Sequence, residues 1–279
     1  MPDPKIRTAL VTGASAGIGR ATAKKLAAAG VSVWAAARRL DALDALARET
    51  PGVRALRLDV TDEASIGAAM ARLAAEDATV DLLVNNAGFG QMGAVEDVSV
   101  DKLRYQMEVN VVGALRMAQA VLPGMRARRR GVIVNVSSPA GIAAMPFFGA
   151  YCASKAALES LTSALRMEVS DFGISIVLVR PGAIATEFQE VAQGAGGGLA
   201  EGSAYEVGYR AVARLMKELE SRGFPPEPVA DAIVRAALAA SPPAEVNAPI
   251  DSKATVALVN LLPTGLREAA MRFAVRRLG

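Results

Sequence analysis

Short runs rich in β-branched residues alternate along this chain with longer stretches rich in alanine, leucine and arginine that carry a helical period. That rhythm lays successive strands parallel, with a helix crossing over between each pair. The strand candidates are Ile6–Thr12, Val31–Ala36, Val53–Leu58, Val80–Asn85, Gly131–Ser137, Ile174–Arg180 and, more weakly, Glu245–Ile250. They are apolar on both faces, which suits a sheet covered by helices on both sides. The pattern predicts an α/β architecture: a doubly wound, seven-stranded parallel sheet with helices on both faces. With no internal repeat and no Pro/Ser-rich linker, residues 1–279 read as a single domain. The compositional break is 187–228, where Gly194–Gly198 reads GAGGG and Phe224-Pro225-Pro226-Glu227-Pro228 closes a helical patch. It is read as a surface loop or as a substrate-covering lobe or lid, since long segments of this kind often cover ligands.

What the chain lacks narrows its chemistry. There is no histidine, which removes Ser-His-Asp and Cys-His catalysis, imidazole bases and His-ligated metals together. The single cysteine, Cys152, permits neither an internal disulfide nor a cysteine zinc cage, and it reads as a small packing residue. No metal site is expected. Acid–base work falls to Tyr, Lys, Asp, Glu or Cys. Net charge is +3, with 24 arginines against 7 lysines, too slight and dispersed an excess to argue for nucleic acid. The run Arg126, Arg128, Arg129, Arg130 reads as a solvated turn. Neither a signal-peptide pattern nor an apolar stretch of membrane-spanning length is visible, so the expectation is a cytoplasmic protein with no membrane span.

Directly after the first strand comes Thr12-Gly13-Ala14-Ser15-Ala16-Gly17-Ile18-Gly19, opening into the helical run Arg20–Ala29. Gly13 allows the tight strand-to-helix turn, Gly17 a close backbone approach to a pyrophosphate, and Gly19 close packing of helix on strand. Ser15 and Ile18 lie within that turn, whose free N–H groups and helix dipole suit an anion. An NAD site of this kind places a carboxylate at the end of the second strand. Here that place reads Trp34-Ala35-Ala36-Ala37-Arg38-Arg39, with no carboxylate before Asp41. Two guanidiniums suit a 2′-phosphate, so Arg38 and Arg39 predict NADP(H). Asp59 and Val60 close the third strand and Asn86, Ala87 and Gly88 the fourth, at the carboxyl edge where open α/β sheets bind ligands. Asp59 is expected at the adenine and Asn86 beside the ribose.

Tyr151-Cys152-Ala153-Ser154-Lys155 begins a helical segment, Ala153–Glu168, and the i, i+4 spacing sets Tyr151 and Lys155 on one face. A tyrosine titrates near 10, so proton exchange near neutrality needs a shift of about 2–3 units, roughly 3–4 kcal/mol. The Lys155 ammonium and an oxidised nicotinamide both favour tyrosinate, while Ser138 is placed to hydrogen-bond a substrate oxygen.

Over residues 6–190 the sequence resembles the short-chain dehydrogenase/reductase family in its compact form. The resemblance rests on Gly13, Gly17 and Gly19, on Asn85-Asn86-Ala87-Gly88, and on a tetrad at Asn110, Ser138, Tyr151 and Lys155. It implies a Rossmann-type fold and hydride exchange between nicotinamide C4 and a carbinol carbon. It implies that Tyr151 exchanges the proton and Ser138 polarises the oxygen. Lys155 would bind the nicotinamide ribose and lower the Tyr151 pKa, and Asn110 would hold a relay water. The family's spacing selects Ser138 over Ser137. The family's Pro-Gly segment matches Pro181-Gly182-Ala183-Ile184-Ala185-Thr186, so Ile184 and Thr186 would meet the carboxamide. Homodimers or homotetramers are common in the family, and the apolar segments Ala254–Leu262 and Leu266–Leu278 suit an interface.

Phe89, Met92, Ile142, Met145, Phe147 and Phe148 give an apolar set near the reacting carbon. The run Asn110-Val111-Val112-Gly113, with Phe147 and Tyr151-Cys152-Ala153-Ser154-Lys155, is similar to hydroxysteroid- and retinol-dehydrogenase-like members. The function read from the sequence is NADP(H)-dependent exchange between a lipophilic ketone and its secondary alcohol. The alternatives are a non-catalytic NADP(H) redox sensor and an acyl-carrier ketoreductase.

Overall fold

The computed structural model describes residues 6–182, 202–222, 224–248 and 263–278. Seven strands form one sheet in the order β3-β2-β1-β4-β5-β6-β7: β1 (Thr8–Thr12), β2 (Ser32–Ala37), β3 (Val53–Arg57), β4 (Leu82–Asn85), β5 (Gly131–Val136), β6 (Ile174–Pro181) and β7 (Glu245–Ala248). Every neighbouring pair is parallel, with Leu10 opposite Trp34 and Leu83, and Ile133 opposite Ile176. The strands alternate their side chains between two cores, as period-two geometry requires. Val11, Val33 and Val134 pack with α1 (Gly17–Ala28), α2 (Leu40–Glu49) and α8 (Glu227–Ala237). Leu10, Trp34 and Ile133 face the opposite core, with α3 (Glu63–Ala75) and α5 (Gly113–Arg128). Helices therefore cover both faces, and the expected doubly wound, Rossmann-type sheet is what the chain forms.

Local signals set several ends. The Asp62 carboxylate caps α3 by accepting from Ala64 N at 2.9 Å, and Ser99 caps α4 (Val100–Met107). Helix α5 stops at Arg129, whose φ of 50° is left-handed. Two boundaries differ from expectation. Helix α1 starts at Gly17 instead of Arg20, because the glycine turn is itself the first helical turn. Helix α6 (Gly149–Glu168) starts four residues before Ala153, so Tyr151 lies within its first turn. Of the segment 187–228, residues 187–201 and 223 lie outside the described residues. Helix α7 (Glu206–Arg222) lies in the described part, with Tyr209, Ala211 and Val212 buried. Of the two C-terminal segments, Ala254–Leu262 lies outside the described residues, and α9 (Thr264–Leu278) exposes Leu266 and Phe273.

At the amino edge of the sheet, buried Asp81 accepts from Arg7 N at 3.0 Å and Thr8 N at 3.2 Å. The expected solvated turn 126–130 is in fact tied down here. Arg128 donates to Val80 O, Arg129 donates to Asp171 O, and the Arg130 guanidinium stands 3.5 Å from Asp81. These arginines belong to the fold, at the edge opposite the site.

Candidate active site

At the carboxyl edge, a cleft of about 330 Å³ runs across the ends of the first four strands. It is lined by Gly13, Ser15, Gly17 and Ile18 of the glycine turn, by Arg38 and Arg39 after β2, by Asp59 and Val60 after β3, and by Asn86, Ala87 and Gly88 after β4. Gly13 and Gly17 have φ of 65° and 53°, where other residues are strained. A methyl on Gly19 would sit 2.4 Å from Gly13 O and 2.5 Å from Asn86 Nδ2. Asn86 donates to Thr12 O at 3.0 Å and Gly13 O at 3.2 Å, so its side chain braces the turn. The Asp59 carboxylate accepts from Thr61 N at 2.9 Å and Thr61 Oγ1 at 2.7 Å. Burial pushes that carboxyl up, but the Thr61 donors and the Arg38 charge prevail and hold it below its ordinary value. Arg39 donates to Ser15 Oγ at 3.2 Å and Arg38 to Tyr105 Oη at 3.3 Å, which points both guanidiniums at the cleft mouth.

The cleft leads to the second group of residues. Asn110 sits in a π-turn, Glu108–Val112, between α4 and α5, and is buried. It accepts from Phe89 N at 3.0 Å and donates to Phe89 O at 2.9 Å and Ser154 Oγ at 3.0 Å. Lys155 Nζ donates to Val136 O at 2.9 Å. A Cβ on Gly88 would come 3.0 Å from Asn110 Oδ1 and 3.7 Å from Lys155 Nζ, so only a glycine leaves the space between those two open to the cleft. Ser138 lies two residues past β5, accepts from Ala140 N at 3.2 Å and hydrogen-bonds the Tyr151 phenol. Ser137 points elsewhere and donates to Glu159 at 2.7 Å. Pro181 and Gly182 close β6, while Ile184 and Thr186 lie outside the described residues.

The electrostatics depart from expectation. Burial pushes the Tyr151 phenol up to about 12, with the Ser138 hydrogen bond acting downward. Burial pulls Lys155 down to about 8, with Glu159 acting upward. Burial dominates at Tyr151, and Lys155 Nζ, which donates to Val136 O, lies 5.8 Å from the ring centroid. Tyr151 is a neutral phenol near pH 7.

The apolar set lies next to this phenol. Phe148, Tyr151, Cys152, Ala140 and Val212 cluster, with Met92, Met145 and Phe147 packed on them. Phe147 takes φ 66° and stacks 5.1 Å from Tyr209 of α7, whose hydroxyl accepts from Ala94 N and donates to Asp97. Sequence reasoning missed Tyr209, Asp97, Glu159 and Arg180. Only the burial pattern of α7 hinted at the first.

A family model described as short chain dehydrogenase matches residues 7–195. The chain belongs to the short-chain dehydrogenase/reductase family. A 3-ketodihydrosphingosine reductase of Bacteroides thetaiotaomicron is 40% identical over 182 residues, covering 65% of each chain. An NADPH-dependent 3-dehydrocapnine reductase of Ornithobacterium rhinotracheale is 32% identical over 246 residues, 86% of this chain and 87% of that one. A short-chain dehydrogenase/reductase of Burkholderia phymatum, solved in complex with NAD, superposes with a TM-score of 0.80 at 29% identity, covering 92% and 94%. As a short-chain dehydrogenase/reductase, the protein is an oxidoreductase of the CH–OH/C=O pair that binds a nicotinamide cofactor. No helix among the described residues is long and apolar enough to cross a membrane.

Proposed function

We propose that the chain is an NADP(H)-dependent ketone reductase acting on a lipophilic ketone and its secondary alcohol, in the cytoplasm and as a homodimer or homotetramer. The pair Arg38–Arg39 at the cleft mouth carries the cofactor choice. Two fixed guanidiniums bind a 2′-phosphate bidentately, and no carboxylate stands at the end of β2 to accept from a 2′-hydroxyl. The glycine-bare turn of α1 suits the pyrophosphate, and the opening beside Gly88 suits a ribose held by Lys155. When bound, the nicotinamide supplies or accepts the hydride.

The rest is done by the chain. Ser138 orients the substrate oxygen and Tyr151, neutral at pH 7, donates its proton to that oxygen as the carbonyl is reduced. With the cofactor bound, Lys155 would hold the nicotinamide ribose, and its charge would stabilise the tyrosinate left behind. Asn110 holds the chain of polar groups behind Lys155. Pro181 and Gly182 would flank the nicotinamide, and α7 would wall the substrate. Met92, Met145 and Phe147 make that wall apolar, and both relatives' names describe reduction of a ketone. Exposed Leu161 and Met167 on α6 support assembly with a second copy.

The test titrates the purified protein with NADPH and NADH side by side, then measures turnover on lipophilic, sugar and acyl-thioester ketones. Preferential NADPH binding that is lost in Arg38→Ala/Arg39→Ala, with turnover of the lipophilic class, is the expected result. Preference for NADH overturns the 2′-phosphate assignment, and tight NADPH binding without turnover of any ketone favours a redox sensor.

A further inference from the structure

Helix α6 carries a buried carboxylate that the proton transfer does not use. Glu159 stands two turns after Tyr151 and one turn after Lys155. Its Oε1 accepts from Ser137 Oγ at 2.7 Å and from Arg180 Nε at 2.9 Å, and its Oε2 accepts from Arg180 Nη2 at 2.7 Å. Arg180, also buried, donates from Nη1 to Glu245 Oε2 at 2.6 Å. The turn after Ser138 is laid directly on this carboxylate: a Cβ on Gly141 would meet Glu159 Oε1 at 2.5 Å and Ser137 Oγ at 3.2 Å. One group therefore fastens three pieces of the site. These are the Ser137–Gly141 turn that carries Ser138, the helix that carries Tyr151 and Lys155, and the end of β6 that leads into Pro181-Gly182.

Charge gives the same group a second part. Lys155, Arg180, Glu159 and Glu245 sum to zero only with Lys155 as an ammonium. Among the described residues, Glu159 acts on Lys155 from its own helix, the Tyr151 ring lies 5.8 Å from Nζ, and Arg180 of β6 is paired to Glu159. The π-turn and the turn after β4 bring the Asn110 amide and Gly88. Burial works against the Lys155 charge, and Glu159 is the anion that works for it. A buried ion pair alone adds little net stability, so this one is better explained by what it holds in place.

We infer that Glu159 is a positioning residue for the reaction, seating Ser138 through the Ser137–Gly141 turn and keeping Lys155 charged one helical turn away. The inference rests on the proposed roles of Ser138 and Lys155. The test uses the full-length chain with Glu159→Gln, which keeps the shape and removes the charge, and Ser137→Ala, which removes only the link to the turn. Two quantities are read: kcat for a ketone the parent reduces, and the pH above which NADPH affinity falls, followed by cofactor fluorescence. Glu159→Gln is expected to lower kcat about tenfold or more with KM nearly unchanged, the scale of one lost charge-assisted contact. It should also move the alkaline fall in NADPH affinity to lower pH, because the anion that favours the Lys155 ammonium is then gone. Ser137→Ala should lower kcat without moving that fall.

A Glu159→Gln protein with parental kcat and parental pH dependence, differing only in melting temperature, overturns the inference. If Glu159→Gln does not fold, Ser137→Ala and Gly141→Ala decide: both lowering kcat supports it, and both matching the parent overturns it. If the parent reduces no ketone, the functional reading fails by itself. The shift in the NADPH binding limb then still decides whether Glu159 sets the charge of Lys155.

Discussion

The phenol of Tyr151 and the ammonium of Lys155 are both buried, and burial drives each toward its neutral form, the phenol up to about 12 and the amine down to about 8. A neutral phenol is the species that would give a proton to a carbonyl oxygen in the proposed reduction. Tyr151→Phe is therefore expected to lower ketone turnover by roughly 10²–10⁴, the range for loss of a positioned general acid. NADPH affinity should stay within a few fold, since the ring and its packing are unchanged and only the hydrogen bond to Ser138 is lost. Steady-state turnover beside a fluorescence titration checks both halves, and near-parental turnover would remove Tyr151 from proton transfer. Much at this scale could be read from residue types alone. The lack of histidine confined acid–base chemistry to groups such as tyrosine and lysine, and the arginines after β2 took the place of an acidic residue. The resting pKa of Tyr151 could not be read, because it is set by burial of the phenol, which only the packed fold produces.

Elements, not single residues, decide where those side chains point. Helix α6 is held over the sheet by a buried polar ladder: Asn85 Nδ2 donates to Asn135 Oδ1 at 2.9 Å, Asn135 Nδ2 to Thr162 Oγ1 at 2.9 Å, and Thr162 Oγ1 to Leu158 O at 2.6 Å. Asn85 and Asn135 are register partners on β4 and β5, so the ladder follows from strand pairing. Replacing its middle rung strands donors and acceptors in the core. Asn135→Val should cost about 1–3 kcal/mol of stability, read from the denaturant midpoint. It should also lower kcat more than NADPH affinity, because α6 carries Tyr151 while the turn into α1 is the proposed seat of the phosphates. An unchanged midpoint would mean that apolar packing alone seats α6. The strands and the glycine turn were legible because their signals are local, a period of two or a strand running into glycines. The π-turn at Glu108–Val112 and the first turn of α6 were not, since one has no sequence period of its own and the other begins behind Phe147 in a left-handed conformation. The Glu159–Arg180 pair lies 21 residues apart, and its partners meet only once β6 is in the sheet.

Taken whole, the molecule puts its structural charges at one edge of the sheet and its reactive ones at the other. Asp81 and the arginines of 126–130 tie the amino edge, while the carboxyl edge holds Lys155 at a cost to the fold. The cost has a definite pH dependence. An unfolded lysine titrates at its ordinary 10.5 and the folded Lys155 at about 8, so between these values the unfolded chain binds more protons and stability rises with pH. Below about 8 both states are charged and the full penalty applies, roughly 3 kcal/mol at about 1.4 per unit. Lys155→Met removes the charge and keeps most of the apolar stem. Its loss of the bond to Val136 O is independent of pH, so the slope isolates the ammonium. The variant should gain on the parent at pH 7, and the difference should shrink as pH rises from about 8 towards 10, while the opposite effect of Tyr151 near pH 10 is common to both proteins and drops out of the difference. Denaturant unfolding of both proteins at pH 7, 8, 9 and 10 measures it. A difference constant across that range would mean that Lys155 is hydrated in the folded chain and that the site is open to water before the cofactor arrives.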